Sequence, residues 1–245
     1  MLDYFAQNVE LSLGTRLWLI RGGEAGQAVA SGGGKGVDAR LATLQNDGKL
    51  GAAPKSRTVG EVYTDLLERG SAFVPALTLA EDTLTEYGYG IFRADRLAGT
   101  LEGDAAQGLE LLAGQLTAEI VEEEQEGNRI SVRLNSARVR STLEFQGETP
   151  AALRVSCQVK GRLEEYRRPV TAAEREELSA RLEDQLRKSG EAALACLQKW
   201  QADCTGLGPR AALLCPGRWR AVREDWPGWF ARVPVELQVG VTIQD

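Results

Sequence analysis

The sequence contains no histidine among its 245 residues. That absence removes the general base of the Ser-His-Asp and Cys-His nucleophile arrangements, and it removes every imidazole-ligated metal site. The chain also has no run of 18 apolar residues, so nothing in it reads as a membrane-spanning helix. Its start, Met1-Leu2-Asp3-Tyr4, lacks the basic and apolar regions of a signal peptide, so the chain by itself reads as soluble and a cytoplasmic address is permitted. None of the four cysteines, Cys157, Cys196, Cys204 and Cys215, sits in a C-x-x-C pair, which argues against a zinc ribbon. A structural thiol role is expected for them, with a disulfide among the last three the alternative because they cluster in sequence. Excess positive charge is absent too. The net charge is -6 and the pI about 5.1, which does not suit a nucleic-acid partner.

What is present is ordinary for a folded chain. Hydrophobic residues make up 43% and charged residues 26%, and the length allows one large domain or two modest ones. Leu2, Phe5, Val9 and Leu13 have helical spacing, and Arg16–Arg21 reads as a buried strand. Short helices are expected over 25–30 and 37–44. Thr58-Val59-Gly60-Glu61 forms a capping box for a helix that stops at Gly70. A strand follows over 72–79; it carries Pro75, which has no amide to donate, so an edge position is expected.

From about residue 80 strands dominate. Segments 84–92 and 96–101 read as a hairpin, and a helix over 105–116 places Leu109, Leu112 and Leu116 on one face. Strands are expected over 117–124, 129–143 and 153–163, the first two joined by the turn Glu126-Gly127-Asn128. The longest helix opens at a second capping box, Thr171-Ala172-Ala173-Glu174, and carries the apolar stripe Leu178, Leu182, Leu186, Ala193, Leu197 and Trp200. It ends near Ala202; two short helices then carry Trp219, Trp226 and Trp229, and an alternating strand closes the chain over 233–243. The grouping of strands around a few helices, without regular βαβα alternation, points to an α+β fold with a mixed or antiparallel sheet. A partial N-terminal α/β region over 1–80 and a C-terminal α+β domain over 81–245 are expected.

Four features invite a chemical reading. The run Gly32-Gly33-Gly34-Lys35-Gly36 reads as a flexible surface loop, with phosphate binding the alternative, because Gly36 stands where the magnesium-binding hydroxyl of a phosphate loop would be. Glu122-Glu123-Glu124 with Glu126 is a carboxylate run beside a turn, where solvation is expected and carboxylate-dependent hydrolysis is the alternative. Trp200, Trp219, Trp226 and Trp229 are expected to fill a small core, each indole N–H finding a partner; an interface or a small-molecule site is the alternative. The terminal strand can pair with another chain. No catalytic constellation, cofactor site or metal site emerges.

The order of several segments resembles the C-subunit family of spore nutrient germinant receptors, written Ger(x)C. Tyr89-Gly90-Ile91-Phe92-Arg93-Ala94-Asp95-Arg96-Leu97-Ala98-Gly99 is similar to that family's G-x-x-[VI]-F-x-x-D-x-L-x-G hairpin, and the next helix carries the matching Gly108-Leu109 and Leu111-Leu112. The long helix leads into Asp203-x-x-Gly206-Leu207-Gly208, similar to a D-x-F-G-F-G turn, with Thr205 and Leu207 where aromatics are usual. Pro216, Trp219, Trp226, Phe230 and the terminal strand follow in the family's order. The resemblance implies a non-catalytic receptor subunit acting through protein contacts with two integral membrane subunits in nutrient-triggered germination. It implies lipid anchoring on the outer face of the spore inner membrane, and an N-terminal truncation here relative to the family. A structural role is expected for Asp203, Gly206, Gly208, Trp219 and Trp226. Gly206 and Gly208 would supply positive φ at the turn, and the two tryptophans would share one helix face.

Overall fold

A computed structural model describes residues 12–30, 36–49, 55–80, 83–116, 119–125, 128–166 and 168–244. The expected helix over 2–12 and the glycine run at 31–35 lie outside the described residues, apart from the helix's last position. Among the described residues two four-stranded sheets and their helices build an α+β fold.

The first half supplies β1 (Arg16–Leu17), β2 (Leu19–Arg21), α1 (Ala25–Ala30), α2 (Gly36–Lys49), β3 (Arg57–Thr58), α3 (Val59–Arg69) and β4 (Ser71–Ala80). The expected single strand at 16–21 is split at Trp18: β1 turns to pair with β3, and β2 pairs in parallel with β4. Helix α3 starts where the sequence places it. The Thr58 hydroxyl accepts from the Glu61 amide while the Glu61 carboxylate accepts from the Thr58 amide. It stops at Gly70, whose φ of 67° a side chain would strain.

The first sheet has the order β2-β4-β5-β6, with β5 over Thr83–Arg93 and β6 over Arg96–Leu101. Strand β4 is therefore interior, contrary to the edge position expected from Pro75. The proline is tolerated because β2 pairs only with Ala76 to Thr78, so Pro75 meets a strand on the β5 side alone. β4 and β5 pair antiparallel on both sides of residues 81–82.

The second sheet has the order β10-β9-β8-β7, from β7 (Glu119–Gln125), β8 (Asn128–Gln146), β9 (Thr149–Tyr166) and β10 (Val235–Gln244). All its pairings are antiparallel except β9–β10. Strict alternation along β9 buries Leu153, Val155, Cys157, Val159 and Leu163 and leaves Arg154, Gln158, Lys160 and Arg162 on the opposite, wet face.

Two helices cover the buried face. Helix α4 (Gly103–Ala113) is shorter at its C-terminus than the leucine spacing suggests, because Gly114 ends it at φ 73°; Leu116 is nonetheless fully buried beyond the helix. Helix α5 (Ala172–Lys199) begins at the Thr171 capping box. There the Arg168 guanidinium, then the Thr171 amide and hydroxyl, hold the Glu174 carboxyl down to about 2. α5 buries Leu178, Leu182, Leu186, Ala193 and Leu197, as its stripe predicts, together with Ser189 and Gly190. These last two residues let it approach its neighbours. A Cβ on Gly190 would sit 2.5 Å from Leu237 of β10, and a Cβ on Gly108 of α4 would sit 1.9 Å from the Ser189 carbonyl oxygen. Three short helices follow: α6 (Leu207–Ala212), α7 (Pro216–Val222) and α8 (Trp226–Phe230).

The four thiols are free. Burial pushes Cys157 up to about 12 and also raises Cys204 well above the ordinary thiol value, whereas Cys196 and Cys215 are half-buried. The thiolate is the reactive form. Titration of the native protein with Ellman's reagent should therefore find no more than Cys196 and Cys215 reacting quickly, with Cys157 and Cys204 released only on unfolding; rapid reaction of all four would contradict this packing.

Candidate functional site

The end of α5 sets the geometry of the turn that follows. Gln201 adopts φ 56°, and the amides of Gln201 and Ala202 donate to the Gln198 and Leu197 carbonyls, each at 3.0 Å. This is a Schellman stop with glutamine in the position glycine usually takes. The positive φ that ends the helix thus belongs to Gln201. Gly206 also has positive φ, 73°, but as the residue that opens α6.

Asp203 points into the protein from this turn and is buried. Its Oδ1 accepts from the Leu207 amide at 2.8 Å, and its Oδ2 accepts from the Gly208 amide at 2.7 Å and from the Trp226 indole N–H at 2.8 Å. The N-cap of α6 is Gly206, which has no side chain, so the two free amides of the helix start are satisfied from a residue four and five positions back. Burial pushes the Asp203 carboxyl up; the Gly208 amide, the indole, the Leu207 amide and the Arg69 charge act in the opposite direction.

Trp219 and Trp226 do not share one helix face. They lie on separate helices, α7 and α8, because the first stops at Val222 and the second starts at Trp226 with Pro227 in its first turn. Their rings still meet, with centroids 5.0 Å apart, and Trp226 continues to Phe230 at 5.9 Å. Gly208 is needed here for space: a Cβ would fall 2.3 Å from the Trp226 ring. Asp203, Gly206, Gly208, Trp219 and Trp226 therefore form one assembly around a single carboxylate.

Residues that sequence reading did not single out complete it. The Ser141 hydroxyl of β8 donates to the Leu207 carbonyl at 2.6 Å. Arg210 donates from both terminal nitrogens to the Leu112 and Ala113 carbonyls, at 2.9 and 3.2 Å, and so closes the C-terminus of α4. Arg69 donates to the Cys204 carbonyl and pairs with Asp65 at 2.8 Å. Asp65 in turn holds the buried Arg57 at 2.7 Å, and the Arg57 guanidinium lies 4.2 Å from the Phe73 ring centre. A chain of alternating charge thus runs from α3 to the Asp203 turn. Its one sequence-level signal was Asp65, an acid three residues after Val62 on the buried side of an amphipathic helix.

Both oxygens of the Asp203 carboxylate, the Trp226 indole N–H and the terminal nitrogens of Arg210 are directed at other groups of the protein, whereas the buried Thr205 hydroxyl and Arg57 Nε have no hydrogen-bond partner among the described residues. Among the described residues no three His, Cys, Asp or Glu side chains converge as a metal site. The acidic run lies elsewhere: Glu122 on β7 pairs with Arg129 across the hairpin and Glu124 is exposed, while the side chains of Glu123 and Glu126 lie outside the described residues. Among the described residues no helix is long and apolar enough to cross a membrane.

Comparison with known proteins follows the same stretch of chain. A family model described as spore germination B3/GerAC-like, C-terminal, matches residues 87–245. The crystal structure of the GerBC protein superposes with a TM-score of 0.78 at 17% sequence identity, covering 100% of this chain and 73% of that one. No curated protein sequence matches.

Proposed function

The chain belongs to the spore germination B3/GerAC-like family, and on that premise we propose that it is the C subunit of a nutrient germinant receptor and acts without catalysis, through contacts with other subunits. The observation that carries this reading is the family match over 87–245, the stretch that contains the Asp203 assembly. The way that assembly is built supports it: carboxylate, indole and guanidinium groups are spent on backbone amides, carbonyls and one another. They hold elements in place, with the Asp203 carboxylate occupied by three donors of the protein itself.

In this reading the partners are two integral membrane subunits, and the subunit is held by lipid at the outer face of the spore inner membrane. The division into a partial N-terminal domain, 1–80, and a C-terminal domain, 81–245, is carried into it as a proposal, the two being joined through the β4–β5 hairpin. Asp203, Gly206, Gly208, Trp219 and Trp226 have a structural role. Deletion of the gene tests the reading. Spores lacking the chain should lose or slow their response to at least one amino acid or sugar, with recovery on complementation. Unchanged germination with every nutrient that triggers the parent would overturn it.

A further inference from the structure

The wet face of the second sheet carries a bowl built from three cross-strand rows: Arg140–Ser156–Gln238, Arg138–Gln158–Gly240 and Ser136–Lys160–Thr242. Residues two apart on a strand share a face, so the eight side chains of these rows, Gly240 having none, lie on one side of the sheet. Ser136, Ser156, Gln158 and Thr242 line the hollow, and the Gln158 side chain packs over Gly240, where a Cβ would fall 2.8 Å from it. The rim is made of long cations. The depression has a volume of about 490 Å³, inside the roughly 300–1,000 Å³ of small-molecule sites.

The charges on this face are distributed unevenly. Toward one end, Arg154 holds both Glu144 and Glu236, at 2.9 and 3.0 Å. Toward the other, Arg133 holds Glu164 at 2.8 Å. Between them Arg138, Arg140 and Lys160 have no carboxylate partner among the described residues. In a chain of net charge -6, three clustered cations within about a Debye length of one another repel, and that repulsion disfavours the folded state. Guanidinium forks, an ammonium and hydroxyls around a hollow are the donor set that oxyanions require.

We propose that this bowl binds a small multivalent oxyanion, one bearing two or more carboxylate or phosphate groups. The site stands on its own geometry and does not depend on the receptor reading. Calorimetric and thermal-shift titration of the full chain with citrate and with inorganic pyrophosphate, at physiological salt, tests it. One saturable site is expected, with a melting temperature that rises with ligand and an affinity that weakens as salt is added. Arg140→Gln and Lys160→Gln should each weaken binding by about tenfold, the loss of one charge-assisted contact. Arg96→Gln, at an exposed site on the other sheet, should leave it unchanged. Circular dichroism of each variant separates lost binding from lost fold. The proposal is overturned by the absence of saturation up to about 10 mM ligand, which would leave no measurable stabilisation, or by equal binding in all three variants. It is overturned equally if vesicles containing phosphatidylglycerol bind through Arg140 and Lys160 while neither small anion does, since the face would then be a membrane-contact surface.

Discussion

Replacing Asp203 by alanine is expected to lower the unfolding free energy by about 3 kcal/mol or more, because each buried donor left without a partner costs about 1–3 kcal/mol. Three donors are orphaned at once: the Leu207 and Gly208 amides and the Trp226 indole N–H. Leu207, Gly208 and Trp226 are all buried, so bulk water does not reach these donors in the native packing. Asparagine should rescue little. It keeps one acceptor oxygen, but its amide group would present hydrogens to N–H groups that need an acceptor. Asp104→Ala, at an exposed position in the first turn of α4, is the matched control and should stay within about 0.5 kcal/mol of the parent. Chemical denaturation of the three variants checks this. A wild-type midpoint for Asp203→Ala would show that the carboxylate does not hold the turn.

The second large effect is expected at Gly108. Glycine to alanine inside a helix normally gains about 1 kcal/mol. Here the sign should reverse. The added methyl would lie 1.9 Å from the Ser189 carbonyl oxygen and 2.9 Å from the Gly190 amide nitrogen, and both are backbone atoms of α5. No side-chain rotation relieves that overlap, so the two helices must separate, and the Ser189–Gln107 hydrogen bond at the crossing would be strained with them. The cost should reach about 3 kcal/mol, the upper part of the usual range for overpacking, or about 6–12 °C in melting temperature for a chain of this size. Gly26→Ala in α1 provides the internal contrast: nothing lies within 4 Å of the new methyl, so it should be neutral or stabilising by up to about 1 kcal/mol. If both variants melt alike, the α4–α5 contact is not as close as described.

These two sites also mark how far sequence could be read. Both capping boxes were legible because their partners lie three residues apart, at Thr58 and Glu61 and at Thr171 and Glu174. The α+β class followed from strand alternation and the stripe on α5 for the same local reason. Pro75 misled because edge status depends on how far β2 runs along β4, which no local pattern carries. Asp203 was legible as a structural residue of the turn, but its third donor, Trp226, lies 23 positions away. The reason Gly208 must be glycine is that indole, and no backbone angle announces it. The tryptophans were expected on one helix face. Instead they meet because the chain breaks between Val222 and Trp226 and folds back. Arg57, Arg69 and Arg210 carried no signal of their own, since a buried arginine and a solvated one look alike in sequence.

Purification of the assembled receptor from the membranes of dormant spores tests the central claim most directly, with this chain followed alongside the two integral subunits. The wild-type chain and a Glu122→Gln/Glu124→Gln variant are expected to co-purify with them in equal amounts and to support equal germination, while Asp203→Ala is lost from the complex. A wild-type chain absent from the complex, or a carboxylate variant that assembles fully yet fails to germinate, would contradict a subunit that works by contact alone.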